Sequence, residues 1–203
     1  MSTTRLALVR HGRTDWNRRG LLQGSTDVPL DEVGREQAQG AARLLDFLDP
    51  IGWDTVVSSP LSRAYTTGRI VAAHLCIGMP GTIPDLAERT YGDAEGSTRE
   101  DAELRWPGGD FPGLEPLEEV AARGVRALDV TAAMHPGCRI VVVSHGALIR
   151  AVLDQLSPEP APRIVNGAVS ELEWSDRWVV RSVNRTVAPD PNTRAVRVSS
   201  AER

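Results

Sequence analysis

Apolar and polar positions fall into two kinds of block along this chain. Short unbroken apolar runs, LALV at 6–9, TVVSS at 55–59 and RIVVVSH at 139–145, have the length and β-branched content of strands buried on both faces. Between them the period lengthens. Over 31–48, Ala38, Ala41, Leu44, Leu45 and Leu48 recur at helical spacing behind Asp31, a residue suited to cap a helix. Ser59 followed by Pro60 predicts an N-cap and first turn, with a helix running to about Leu75. Helical spacing returns over 116–134 through Val120, Ala121, Val125 and Leu128, and again over 146–156. SELEWS and RWVVRSVN alternate around Asp176 and Arg177, which predicts a closing hairpin. Residues 76–115 are irregular and rich in Gly and Pro, with a short helix expected from Thr98 to Trp106. No internal repeat is evident, and from about 188 onward the chain is polar and proline-containing, the composition of a loose tail.

Strand and helix therefore alternate, with two strands at the end. That order predicts an α/β fold: a three-layer α/β/α sandwich with a mostly parallel central sheet and an antiparallel C-terminal strand. A chain of 203 residues suits one domain, here 1–187, with 188–203 as the tail. In such sheets ligands sit beyond the carboxyl ends of the strands. Three polar clusters fall there: Arg10, His11 and Gly12; the stretch from Ser59 to Arg63; and Ser144, His145 and Gly146.

Composition narrows the partners. The formal net charge is -4, so there is no basic excess and nucleic acid is excluded as the expected partner; any anion site must be a local pocket. Cys76 and Cys138 form no C-x-x-C pattern, which argues against a disulfide framework or zinc cluster and leaves them as small core residues. No apolar run approaches the ~20 residues of a membrane span, and no secretory signal is present, so a cytoplasmic protein without a membrane partner is expected.

The clusters carry the chemistry. Two arginines beside histidines at the edge of a core are costly unless something negative belongs there. Gly12 and Gly146 each follow a histidine and leave room for close approach of backbone and ligand. Helices beginning near Pro60 and after Gly146 aim positive ends at this edge. Guanidinium forks match phosphate oxygens. Together these point to a phosphate pocket holding a nucleophilic imidazole, which must be neutral to attack and whose second nitrogen should be held by a hydrogen bond.

VRHGRTDWN, at 9–17, resembles the signature of the histidine phosphatase superfamily, in the branch that includes phosphoglycerate mutases and their phosphatase relatives. QGSTDVPLDEVGREQA, SSPLSRAYTTG, LAERTYGDAEG and VVVSHGALIR follow in the right order. The resemblance implies roles. His11 is the nucleophile that becomes phosphohistidine, Arg10 and Arg63 bind the phosphoryl oxygens, and His145 stabilises the same group. Glu88 is the proton donor to the leaving alkoxide and then the base for water; Asp85, Asp93 and Glu95 are competing acids in the same loop, and pairing with Arg89 is the structural alternative. Asn17, Gln23, Gly24 and Gly146 are placed beside the phosphate. Tyr91 and Arg99 fall where the mutases put a tyrosine and a lysine that touch substrate. No metal or other cofactor is implied, because arginines and His145 stand where other phosphatases use cations. His74 and His135 lack such neighbours and receive no role.

The mutases carry a longer insertion with an adjacent basic pair; here 101–129 holds only Arg105, Arg123 and Arg126, and Ala147 stands where mutases tend to have Asn. Together with Gln23, these features favour a phosphatase acting on a small phosphorylated metabolite, with a 2,3-bisphosphoglycerate-primed mutase as the alternative. A non-catalytic phosphate-binding protein is a further alternative, and a metal-dependent hydrolase lacks its ligand spacing. Arg89, Arg99 or Arg105 is the expected grip for a second anionic group. Family members are often homodimers, and Trp174 and Trp178 are the candidate interface.

Overall fold

In the computed structural model residues 3–187 are described, and the tail expected from 188 lies outside them. Six strands form one sheet: β1 (Thr4–Arg10), β2 (Thr55–Ser58), β3 (Gly81–Thr82), β4 (Arg139–Ser144), β5 (Val169–Trp174) and β6 (Trp178–Arg185), in the order β3-β2-β4-β1-β5-β6. β3, β2, β4 and β1 run parallel, β5 pairs antiparallel with β1, and β6 closes the hairpin against β5.

The period-2 alternation of β1 assigns the two faces. Ala7 and Val9 pack with Ala41, Leu45, Ala64 and Val71 under α2 (Glu32–Leu48) and α3 (Ser62–His74). Leu6 and Leu8 pack with Val120, Leu128, Leu148 and Leu153 under α5 (Leu117–Met134) and α6 (Gly146–Leu156). Both helical layers cover the middle strands, which accounts for the unbroken apolar runs. Leu45 is fully buried, and truncating it to Ala costs about 3 kcal/mol in transfer and cavity terms.

The irregular stretch is packed. Two 3-10 turns, Pro84–Leu86 and Gly92–Ala94, and α4 (Arg99–Arg105, capped by Thr98) fold over the carboxyl end of the sheet. Ala94, Ala102 and Phe111 form a small core there with Leu22, Tyr91, Trp106 and Leu114. Two elements escaped the sequence: α1 (Asp15–Arg19), which buries no residue, and β3, two residues long; neither is long enough to show a period.

Three expectations are corrected. α3 begins at Ser62, not at Pro60, because Ser59 N–H bonds to Val143 O and keeps Ser59 in the ladder beyond β2. Cys76 is exposed and adopts φ 55 just after α3, so it is not a core residue. Trp178 is buried, donating Nε1–H to Asp129 and lying 5.0 Å from Trp174 with the rings tilted by 46°, and Trp174 itself packs on the α5–α6 core. Trp178 is thus committed to packing within the chain, while Trp174 stays partly exposed.

Candidate active site

The strand order brings the three clusters together. β2, β4 and β1 lie side by side and end level, with Arg10 opposite Ser144. The ladder continues one step past the strands: His11 N–H bonds to Ser144 O and Ser59 N–H to Val143 O. Ser59, His145 and His11 are consequently neighbours across three adjacent strand ends. The two imidazoles stand 5.0 Å apart between ring centroids, and both are buried.

Each imidazole has one nitrogen engaged. His11 Nδ1 lies 2.7 Å from Gly12 O, and a carbonyl only accepts, so Nδ1 carries the proton and Nε2 keeps its lone pair. Burial, then the Arg10 and Arg63 guanidinium groups, push the His11 pKa well below its ordinary 6.5, so the ring is neutral at pH 7. His145 is depressed in the same direction, by burial first and then by His11, Arg63 and Arg10. Its Nε2 lies 2.8 Å from Ser59 Oγ, and Ser59 Oγ also accepts Leu61 N–H at 3.2 Å. A hydroxyl that accepts from Leu61 has its own proton free to give to Nε2. Nε2 is the acceptor that the Ser59 proton finds among the described residues, which puts the His145 proton on Nδ1, buried there without a partner.

The arginines are held by carbonyls. Arg63, fully buried on the first turn of α3, donates Nη1–H to Thr26 O and Nη2–H to Gly24 O, both at 2.8 Å. Arg10 donates Nη1–H to Ile164 O at 2.6 Å. The Nε atoms of both are buried without a partner, and neither guanidinium has a carboxylate within 4.0 Å among the described residues. Burial lowers the pKa of each guanidinium, against which Glu88 acts to raise it. Three donors near His11, Arg10 Nε, Arg63 Nε and His145 Nδ1, are thus desolvated without an acceptor among the described residues. Unsatisfied buried donors of this kind are expensive, and an oxyanion is the group that satisfies all three.

The two glycines do different work. At Gly146 a Cβ would sit 3.1 Å from Arg10 Nε, so glycine lets that guanidinium lie across the start of α6. At Gly12 a Cβ would run into Gly34 O; its need is close packing of α2, not ligand access as expected. Gly12 N–H is held by Thr67 Oγ1, a buried residue of α3 that carried no sequence signal.

A cavity of about 1180 Å³ opens over this centre. Of the site residues expected from the sequence, Arg10, His11, Asn17, Gln23, Gly24, Arg63, Glu88, Tyr91, Arg99 and Gly146 all line it, while His145 stands just behind. Glu88 takes the N-cap position that α6 lacks: its carboxyl accepts Leu148 N–H at 3.2 Å and Ala147 N–H at 3.3 Å, besides Arg89 N–H at 2.9 Å. The positive helix end is therefore answered by Glu88. Of the competing acids, Glu95 instead clamps Ser25, Thr26 and Tyr91 N–H, and Asp85 pairs with Arg126. Gln23 is buried and accepts from Thr14 Oγ1. Tyr91 is pushed up to about 12 by burial and by Glu88, so its phenol stays a neutral donor. Arg89 lines the mouth, held by Glu115 O and set over the Tyr91 ring. Arg105 does not; it stacks on Trp106 at 4.4 Å outside the cavity. Arg150 and Arg163 line it unforeseen. Among the described residues no three His, Cys, Asp or Glu side chains gather as a metal site.

Comparison with known proteins extends this picture. The model of the histidine phosphatase superfamily (branch 1) matches residues 6–186. The chain is 36% identical over 186 residues to the uncharacterized phosphatase PhoE of Bacillus subtilis (strain 168), covering 89% of this chain and 94% of that protein. It is 34% identical over 177 residues to a 2,3-bisphosphoglycerate-dependent phosphoglycerate mutase of Methylobacterium sp. (strain 4-46), covering 77% and 84%. A mycobacterial glucosyl-3-phosphoglycerate phosphatase, solved with VO3, superposes with a TM-score of 0.78 at 28% identity, covering 89% of this chain and 98% of that one.

Proposed function

Because the chain belongs to branch 1 of the histidine phosphatase superfamily, we propose that it is a metal-independent phosphomonoester hydrolase working through a phosphohistidine at His11. The observation that carries this is the free His11 Nε2 set among three buried, partnerless donors. In the first step Nε2 attacks phosphorus, the N–P bond forms and the ester P–O bond breaks. Arg10, Arg63 and the His145 Nδ1–H take the oxygen charge that develops. Glu88 delivers a proton to the leaving alkoxide; its Oε2, which among the described residues meets only Ala147 N–H at 3.3 Å, is the oxygen free to carry it. In the second step Glu88 takes a proton from water, the water oxygen attacks phosphorus, the N–P bond breaks, and phosphate leaves with His11 neutral again. Asn17, Gln23 and Gly24 border the phosphoryl group.

The cavity is far larger than a phosphate, and Arg89, Arg99 and Arg163 lie along it without a carboxylate within 4.0 Å among the described residues. These support a substrate that is a small phosphorylated metabolite with a second anionic group, as the names of the glucosyl-3-phosphoglycerate phosphatase and the mutase imply for those proteins. 3-Phosphoglycerate should be hydrolysed faster than glycerol 3-phosphate, which carries a hydroxymethyl in place of the carboxylate. No helix among the described residues is long and apolar enough to cross a membrane, and the cytoplasm is the proposed setting.

The mutase is the second reading, favoured by the place of Tyr91 and Arg99 on the cavity wall. One experiment separates the readings. Phosphate monoesters are incubated with and without 2,3-bisphosphoglycerate, in EDTA, and the protein is examined for an acid-labile phosphoryl label on His11. Inorganic phosphate release and label support the hydrolase. Isomerisation of 3-phosphoglycerate without phosphate release supports the mutase. Absence of label overturns both.

A further inference from the structure

The stretch 163–167, between α6 and β5, has no counterpart among the motifs, yet it touches three parts of the centre. Ile164 O accepts Arg10 Nη1–H at 2.6 Å. Gly167 N–H bonds to Arg10 O, and Arg10 N–H to Ala168 O, so the stretch is laced to the end of β1. Asn166 Nδ2 donates to His11 O and to Asn17 Oδ1, each at 3.1 Å. Asn17 Oδ1 also accepts Thr14 N–H at 3.2 Å. Backbone groups force both amide orientations: Thr14 N–H only donates, so the Asn17 atom facing it is oxygen, and His11 O only accepts, so the Asn166 atom facing it is nitrogen. With its oxygen taken by two donors, Asn17 has only its NH2 left for the cavity it lines.

The stretch is itself anchored. Asn184 on β6 sits at φ 62 and spans it, accepting Val165 N–H at Oδ1 (2.9 Å) and donating Nδ2–H to Arg163 O (3.1 Å). Its own N–H is held by Ser170 Oγ at 3.0 Å.

We propose that Asn166 is a positioning residue that, with Thr14 N–H, holds Asn17 as a donor toward the bound phosphoryl group, on a stretch fastened by Asn184. The proposal rests on the phosphoryl pocket described above. Asn166 reaches the phosphoryl group through Asn17, so the two are coupled: once Asn17 loses its amide, only the Asn166 bond to His11 O remains.

The test is a double-mutant cycle on inhibition by orthovanadate, read with p-nitrophenyl phosphate as substrate and with Tm as a check of folding. Asn17→Ala and Asn166→Ala are each expected to raise the inhibition constant about tenfold, and the double variant no more than about threefold beyond either. Asn166→Asp is expected to weaken vanadate more than Asn166→Ala, because a carboxylate has no proton for Asn17 Oδ1 or His11 O and adds negative charge beside the anion. Asn184→Gly tolerates φ 62 while removing the clamp and should raise the constant a few-fold. Should Asn166→Ala fail to fold, Asn166→Ser enters the same cycle. Multiplying effects in the double variant, or a folded Asn166 variant that binds vanadate as the wild type does, overturns the proposal and leaves the hydrolase standing. A wild-type protein that neither binds vanadate nor labels at His11 removes the hydrolase, and the positioning role with it.

Discussion

The β1–β4 ladder begins and ends with arginines, and the two ends treat them oppositely. At the amino end Arg5 lies opposite Arg139, and both reach Asp49, at 2.6 and 2.9 Å. Asp49 is 2% exposed, and it also accepts Ile51 N–H. At the carboxyl end Arg10 and Arg63 face carbonyls, with two neutral imidazoles nearby and no carboxylate within 4.0 Å among the described residues. One end carries its own counter-ion; the other is left one anion short. Charge balanced within the chain serves the fold. Charge left open is a cost of folding recovered when an anionic ligand arrives.

The largest test of this contrast is His11→Ala, expected to lower kcat on a phosphomonoester by about 10⁴-fold or more while vanadate still binds. Residual turnover within tenfold of wild type would remove the imidazole from the mechanism. Next, the two ends can be set against each other. Arg63→Met should cost about 10³-fold in kcat/KM but shift stability by less than about 1 kcal/mol, because a desolvated unpaired cation goes with it. Asp49→Asn should do the reverse, costing about 3 kcal/mol in urea unfolding while leaving kcat/KM within a factor of three. If both variants lose activity and stability alike, the division between the ends is wrong.

A smaller effect concerns pH. Burial holds His11 and His145 below 6.5, the value to which each returns in the unfolded chain. Below pH 6.5 the unfolded state therefore binds more protons, and stability falls as pH drops toward 5. Each histidine contributes up to about 1.4 kcal/mol per pH unit. Unfolding followed between pH 7.5 and 5 should show a shallower slope in His145→Gln than in wild type; an unchanged slope speaks against a neutral buried ring. The smallest effect is on tautomer. Ser59→Ala removes the proton given to His145 Nε2 and should cost about tenfold in kcat/KM and about 1 kcal/mol in stability, since Nε2 and Leu61 N–H lose their partner. Equal activity in Ser59→Ala would mean that another group sets the ring.

Much of the site was legible because its signals are local. An apolar run that stops in Arg10, His11 and Gly12, or in Ser144, His145 and Gly146, marks a strand end carrying polar groups into a shared edge. Arg63 and Glu88 rode on adjoining motifs. Ser59 shows where local reading fails. Beside Pro60 it has the look of a helix cap, but across the sheet it meets His145, 86 positions away, and the longer-range bond holds it in the ladder. Arg105 failed for a similar reason: Trp106 beside it offers an aromatic face.

The longer strands and helices, and the polar side chains at the strand ends, were readable from periodicity and from neighbours within a few positions, whereas α1 and β3 were too short to show. Only the tertiary structure decided which nitrogen of each imidazole holds the proton, which carbonyls hold the arginines, and that Asn166, 155 positions from His11, braces it. Hydrogen-bond direction is set by what lies across the sheet, and no period along the chain encodes it.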